Sequence, residues 1–171
     1  MAIPDLAGFS AGEIVTGAKL TEHTKTAFEE SVFYKPICRI KQSSNQTLGT
    51  SGQTFTAVLN VVMEDTDGMA DTANNRIVIK TDGVYRITQN AAWAQHATGY
   101  RHAETRKNGT AILATTLPSA GAVSTRASAS EFVRLAAGDL LTLIIQHTAG
   151  VSITTDVAAS GVALSAEWIS K

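Results

Sequence analysis

Two periods of apolar spacing follow one another along the chain. Over residues 10–30, SAGEIVTGAKLTEHTKTAFEE, the spacing is helical and predicts one short helix. Thr16 is placed to cap it, and Leu20, Thr24, Ala27 and Phe28 share its inner face. Ser10 and Glu13 have the spacing of an alternative cap, but Gly12 disfavours a helix beginning there. So few apolar positions leave such a helix marginal in water, and it is expected to dock on something.

From Val32 onward the period becomes two. VFYKPICRIK (32–41) is rich in β-formers, with Pro36 predicting an edge or a bulge. TFTAVLNVVM (54–63) reads as one strand and RIVIK (76–80) as the next, with Thr81-Asp82-Gly83 supplying a turn. In VYRITQNAAWA, Tyr85, Ile87, Ala91 and Trp93 fall on one face, and Arg86, Thr88 and Asn90 on the other. GYRHAETRK leads into Asn108-Gly109, the strongest hairpin-turn dipeptide, and then TAILATT. A loop rich in Ser, Ala and Gly (118–130) precedes EFVRLAA, LLTLIIQH, VSITTDV and GVALSAEWIS. Between the first two of these, Gly138 permits a positive φ and Asp139 tolerates turn geometry, so the pair predicts a corner between strands. About eight to ten short, regularly punctuated strands predict an all-β fold, an antiparallel jelly-roll sandwich with a short N-terminal helical arm. The domains divide into an arm, residues 1–31, and a body, residues 32–171.

Composition narrows the function classes. Aromatics are only 6% of 171 residues, so a core must come from Val, Ile, Leu and Ala. A net charge of −1, with Lys and Arg scattered, argues against nucleic-acid partners. No apolar run approaches the roughly 20 residues that span a bilayer, so no membrane insertion is expected. The opening MAIPDLAGFSAGE lacks the regions of an export signal, which points to synthesis in the cytoplasm. Cys38, the single cysteine, reads as a small buried residue.

Candidate chemistry is sparse. There is no G-x-S-x-G elbow and no glycine-rich phosphate loop, so neither enzyme activity, catalytic residues nor a cofactor is expected. His96 and His102 flank Gly99-Tyr100-Arg101 with Glu104 close behind, yet they complete no recognised metal spacing. Stacked near a trimer axis, histidines would answer to pH near about 6.5. Glu64, Asp65, Asp67 and Asp71 form an acidic loop without the spacing of a calcium loop, so solvation is its expected role and no metal is assigned. Trp93 and Trp168 fall on apolar faces and predict core packing, whereas Tyr100 is expected near the surface.

Four pieces in order resemble the jelly-roll superfamily of tumour necrosis factor and the complement globular heads: DGVYRITQNAAW, RKNGTAIL, VRLAAGDLLTLIIQ and GVALSAEWIS. They span about residues 76–171. The last strand departs from the animal pattern, with Val162-Ala163-Leu164 where Phe-x-Gly is usual. FSAGEIVTGAKLTEH resembles the opening of minor tail and fibre-like proteins of long-tailed bacteriophages, with Thr21 where that pattern has Asn.

Together the resemblances imply a homotrimeric virion protein, made in the host cytoplasm and attached to other tail or capsid proteins. Attachment would fall to Phe9, Ile14, Val15, Leu20 and Phe28. The core and trimer face would be built from Tyr85, Ile87, Trp93, Leu141, Leu143, Ile145 and Trp168. Capsid decoration, or a module that binds a host receptor or glycan through its loops, are the alternatives.

Overall fold

Alternating apolar and polar side chains from Ile37 to the carboxyl end build two antiparallel sheets. The computed structural model describes residues 16, 17, 21, 35–49, 51–158 and 161–171. In chain order the strands are β1 (Ile37–Lys41), β2 (Thr47–Leu48), β3 (Thr54–Thr56), β4 (Val61–Asp65), β5 (Ala70–Asp71), β6 (Arg76–Val78) and β7 (Gly83–Trp93). Then come β8 (Tyr100–Lys107), β9 (Thr110–Pro118), β10 (Thr125–Leu135), β11 (Leu140–His147), β12 (Ile153–Thr154) and β13 (Ala163–Ser170). One sheet runs β10-β7-β13-β1-β4 and the other β5-β6-β11-β8-β9, with β3 also paired to β11. Strands β2 and β12 form a small ribbon beside them. The body is an all-β antiparallel jelly-roll sandwich.

The core lies between the sheets. From β7 come Tyr85, Ile87, Ala91 and Trp93; from β11 come Leu141, Leu143, Ile145 and His147. Cys38 and Ile40 of β1, Leu164 and Ala166 of β13, and Ala103 of β8 fill the space around them. Each fully buried aliphatic side chain contributes about 1.5–3 kcal/mol relative to exposure. One polar group crosses the interior with its hydrogen bonds satisfied. Gln89 donates to the Ala103 carbonyl at 3.2 Å and accepts from the Thr105 hydroxyl at 2.8 Å. This bridge fixes how β7 of one sheet sits over β8 of the other.

Several expected elements shift. TFTAVLNVVM is not one strand: β3 belongs to the six-stranded sheet and β4 to the five-stranded one, so the chain crosses the sandwich at residues 57–60. The crossing is held by Ala57 N–H on the Leu143 carbonyl and Leu59 N–H on the Asn75 side chain. The expected loop at 118–130 shortens to residues 119–124, because β10 already begins at Thr125. Pro36 precedes β1 rather than interrupting it, and the bulge lies between Arg39 and Ile40. A short 3-10 turn at Thr72–Asn74 carried no sequence signal. In the arm, Gly17 and Thr21 are helical, and the Thr21 hydroxyl donates to the Gly17 carbonyl. The attachment residues Phe9, Ile14, Val15, Leu20 and Phe28 lie outside the described residues.

The two turn signals form one unit. Asn108 (φ 50) and Gly109 (φ 87) make the hairpin between β8 and β9, and Gly138 (φ 92) makes the corner between β10 and β11. Across them the Asn108 amide Nδ2 donates to Asp139 Oδ1 at 2.7 Å, and Leu140 N–H donates to Asn108 Oδ1 at 2.8 Å. Asp139 Oδ2 accepts from Ala136 N–H at 2.8 Å and lies 2.9 Å from Lys107 Nζ. Burial works to raise the Asp139 carboxyl, but the Ala136 amide, Lys107 and Asn108 outweigh it and hold it below its ordinary value. Gly138-Asp139 is a corner, and it is clasped.

Candidate functional site

Six of the seven residues expected on the core and trimer face, Tyr85, Ile87, Trp93, Leu141, Leu143 and Ile145, have no exposed surface within a single chain. A sister copy cannot touch a side chain already enclosed. Trp168 is half-buried, with its indole donating to the Asp82 carbonyl at 3.1 Å. Any contact between copies through this sheet therefore belongs to its reverse side.

That reverse side is mainly polar, with short side chains in two rows on β10, β7 and β13 and longer ones on β1 and in the row beyond. Strand registers align Ser128 with Asn90, Ala163 and Lys41, and Ser130 with Thr88, Ser165 and Arg39. The next row carries Phe132, Arg86, Glu167 and Ile37, with Arg86 and Glu167 ion-paired. Phe132 is 61% exposed, although its neighbours Arg86 and Glu167 satisfy each other. Small serine and threonine side chains let a neighbouring backbone approach closely, while a lone exposed ring offers an anchor.

The opposite feature is the loop end. Tyr100 pairs with Pro118 and its carbonyl accepts from Thr148 N–H, so the loops at 94–99, 119–124 and 148–152 meet there. Three apolar side chains are exposed on it: Tyr100, Val123 and Val151. Beneath them Arg101 is fully enclosed, its guanidinium donating to the carbonyls of His96, Thr98 and Tyr100. Among the described residues no carboxylate pairs with it, and burial pulls its pKa down from the usual range. His147, its partner across β8 and β11, is enclosed too and stacks on Phe55 at 6.4 Å. Among the described residues, the buried Trp93 Nε1 and Arg101 Nε at this end have no hydrogen-bond partner.

The remaining chemistry is dispersed. His102 contacts the Thr116 hydroxyl at 2.7 Å through Nδ1 and Glu104 at 3.3 Å through Nε2, and Glu104 also pairs with Arg106. This hydroxyl–imidazole–carboxylate row crosses two strands on the open outer face of a sheet. Thr116 has no sequence proximity to His102, which is why only register reveals it. In the acidic loop, the Asp65 carboxylate turns back on the amides of Met69 and Ala70, while Asp67 holds Thr81 and Asp71 holds Asn74 and Arg76. These carboxylates are spent on separate backbone and side-chain partners. Among the described residues no three His, Cys, Asp or Glu side chains gather as metal ligands. Cys38 is buried, and burial, then Asp65, pushes its thiol up to about 12, which leaves it protonated and inert.

No family model and no curated protein matches the chain. Among solved structures it is similar to murine APRIL, with 8% identity and a TM-score of 0.61 over 79% of this chain and 99% of that one. The Eiger tumour necrosis factor of S. frugiperda aligns at 10% identity and a TM-score of 0.62, covering 80% and 94% of the two chains. The globular domain of zebrafish complement 1qA aligns at 14% and 0.57, covering 79% and 97%. The body has the tumour-necrosis-factor-like jelly-roll fold. Identities this low establish fold alone.

Proposed function

We propose that the chain is a structural component of a bacteriophage particle, a homotrimeric jelly roll fixed to the tail or tail tip through residues 1–31. The observation that carries this is the joining, in one chain, of the arm-like opening FSAGEIVTGAKLTEH to a jelly-roll body. The reverse face of the five-stranded sheet supports self-association, because its short polar rows and exposed Phe132 suit close contact between copies. The role is mechanical: the body assembles, the arm attaches, and no covalent step or cofactor is involved. Its location is the virion. The test is incorporation into particles by the full chain and by a chain lacking residues 1–31. Loss of incorporation only in the shortened chain supports the proposal, and edge-on labelling of particles distinguishes tail from capsid decoration.

A second reading has its own observation. Tyr100, Val123 and Val151 place three exposed apolar side chains on the loop end, where a host receptor or glycan would be met. Binding to host cells or a glycan array, abolished by Tyr100→Ala, would favour it. A purely structural trimer binds neither.

A further inference from the structure

We propose that Asn108 is a site of spontaneous amide-to-acid conversion, and that its clasp with Asp139 keeps the site silent while the fold is closed. Asn108 is the only asparagine in the chain followed by glycine, and both residues are exposed at the hairpin tip. Glycine leaves its backbone nitrogen unshielded. In an open chain that nitrogen attacks Asn108 Cγ, the new C–N bond forms, and the Cγ–Nδ2 bond breaks. Ammonia departs with the backbone proton, leaving a cyclic imide. Water then opens the imide at either carbonyl, giving Asp or an isoaspartyl linkage.

The closed turn blocks the first step. The carboxamide is held at both ends, with Nδ2 on Asp139 and Oδ1 under Leu140 N–H, and Asn108 N–H donates to the Leu140 carbonyl at 2.9 Å. The side chain thus reaches across to the neighbouring turn, not back to the Gly109 nitrogen. Attack waits until the clasp opens.

Conversion is also one-way. A carboxylate at position 108 would replace a 2.7 Å donor with an oxygen facing Asp139 Oδ1. Lys107 is the one cation paired with Asp139 among the described residues, and two facing carboxylates exceed what it can offset. At neutral pH the converted turn is opposed from closing again. The hairpin end therefore keeps, as a permanent chemical change, those openings in which the attack is completed.

The experiment is peptide mass mapping of the full chain after incubation at mildly alkaline pH, folded and in urea, with Asn45, Asn60 and Asn90 as internal references. Conversion of Asn108 at least about tenfold slower in the folded chain is expected. Equal rates in the two conditions would overturn the protective role of the clasp. Conversion at Asn108 no faster than at the reference asparagines in urea would overturn the site itself. Asn108→Asp is expected to lower the melting temperature at neutral pH, and Asp139→Asn in the same chain to recover part of the loss by restoring one carboxylate facing one carboxamide. An Asn108→Asp chain that melts like the parent would overturn the one-way character.

Discussion

Arg101 and His147 face each other across β8 and β11, both fully enclosed, with no carboxylate paired to either among the described residues. One is permanently cationic and the other titrates. Burial pushes the His147 imidazole below its ordinary 6.5, and Arg101 and His96 push it the same way, while the Leu48 and Gly49 carbonyls oppose them.

A pH dependence follows from that direction. A histidine whose folded pKa is depressed takes up a proton more readily when unfolded, so stability falls as pH drops below 6.5. The loss continues until pH passes the lower folded value. Thermal melting across this range should show it, and His147→Phe, which keeps the stack on Phe55, should flatten the slope. Glu104, Asp139 and Asp156 lie in a separate window. Their folded pKa values are lowered, so their contribution is present above the ordinary carboxylate range and lost in stronger acid.

Arg101 ties down the loop at 94–99 through two of its carbonyls, His96 and Thr98, and also bonds the Tyr100 carbonyl at the start of β8. Arg101→Met removes an uncompensated buried charge but takes the guanidinium from the His96 and Thr98 carbonyls, at about 1–3 kcal/mol for each one not reached by water, while the Tyr100 carbonyl keeps Thr148 N–H. Net destabilisation is expected. Amide hydrogen exchange should rise at residues 94–100 and stay slow in the centres of β7 and β11.

Gly83 is demanded by close approach. A Cβ there would meet Trp168 Nε1 at 2.1 Å and the Ser170 carbonyl at 2.4 Å. Gly83→Ala should cost about 1–3 kcal/mol through forced displacement of Trp168. Denaturant unfolding would read the loss, and weakened Trp168 fluorescence shifts would place it at β13.

How much of this was legible depended on whether a signal was local. The alternation in VYRITQNAAWA placed Tyr85, Ile87, Ala91 and Trp93 inside, because a period of two survives any context. Asn108-Gly109 and Gly138-Asp139 were legible as turns, but their clasp was not, since it joins positions 31 residues apart. The crossing inside TFTAVLNVVM left no mark, because both halves favour extended backbone. Gln89, Arg101 and His147 gave conflicting signals: their places in the alternation point inward, where the structure buries them, while their polarity points outward. The polar rows on the reverse face needed strand order, which no local pattern contains.

The most direct test of the central claim is the mass of the full chain in solution, by sedimentation equilibrium. A species three times the 18.0 kDa of one chain is expected across micromolar concentrations. A single-chain mass throughout that range would contradict it.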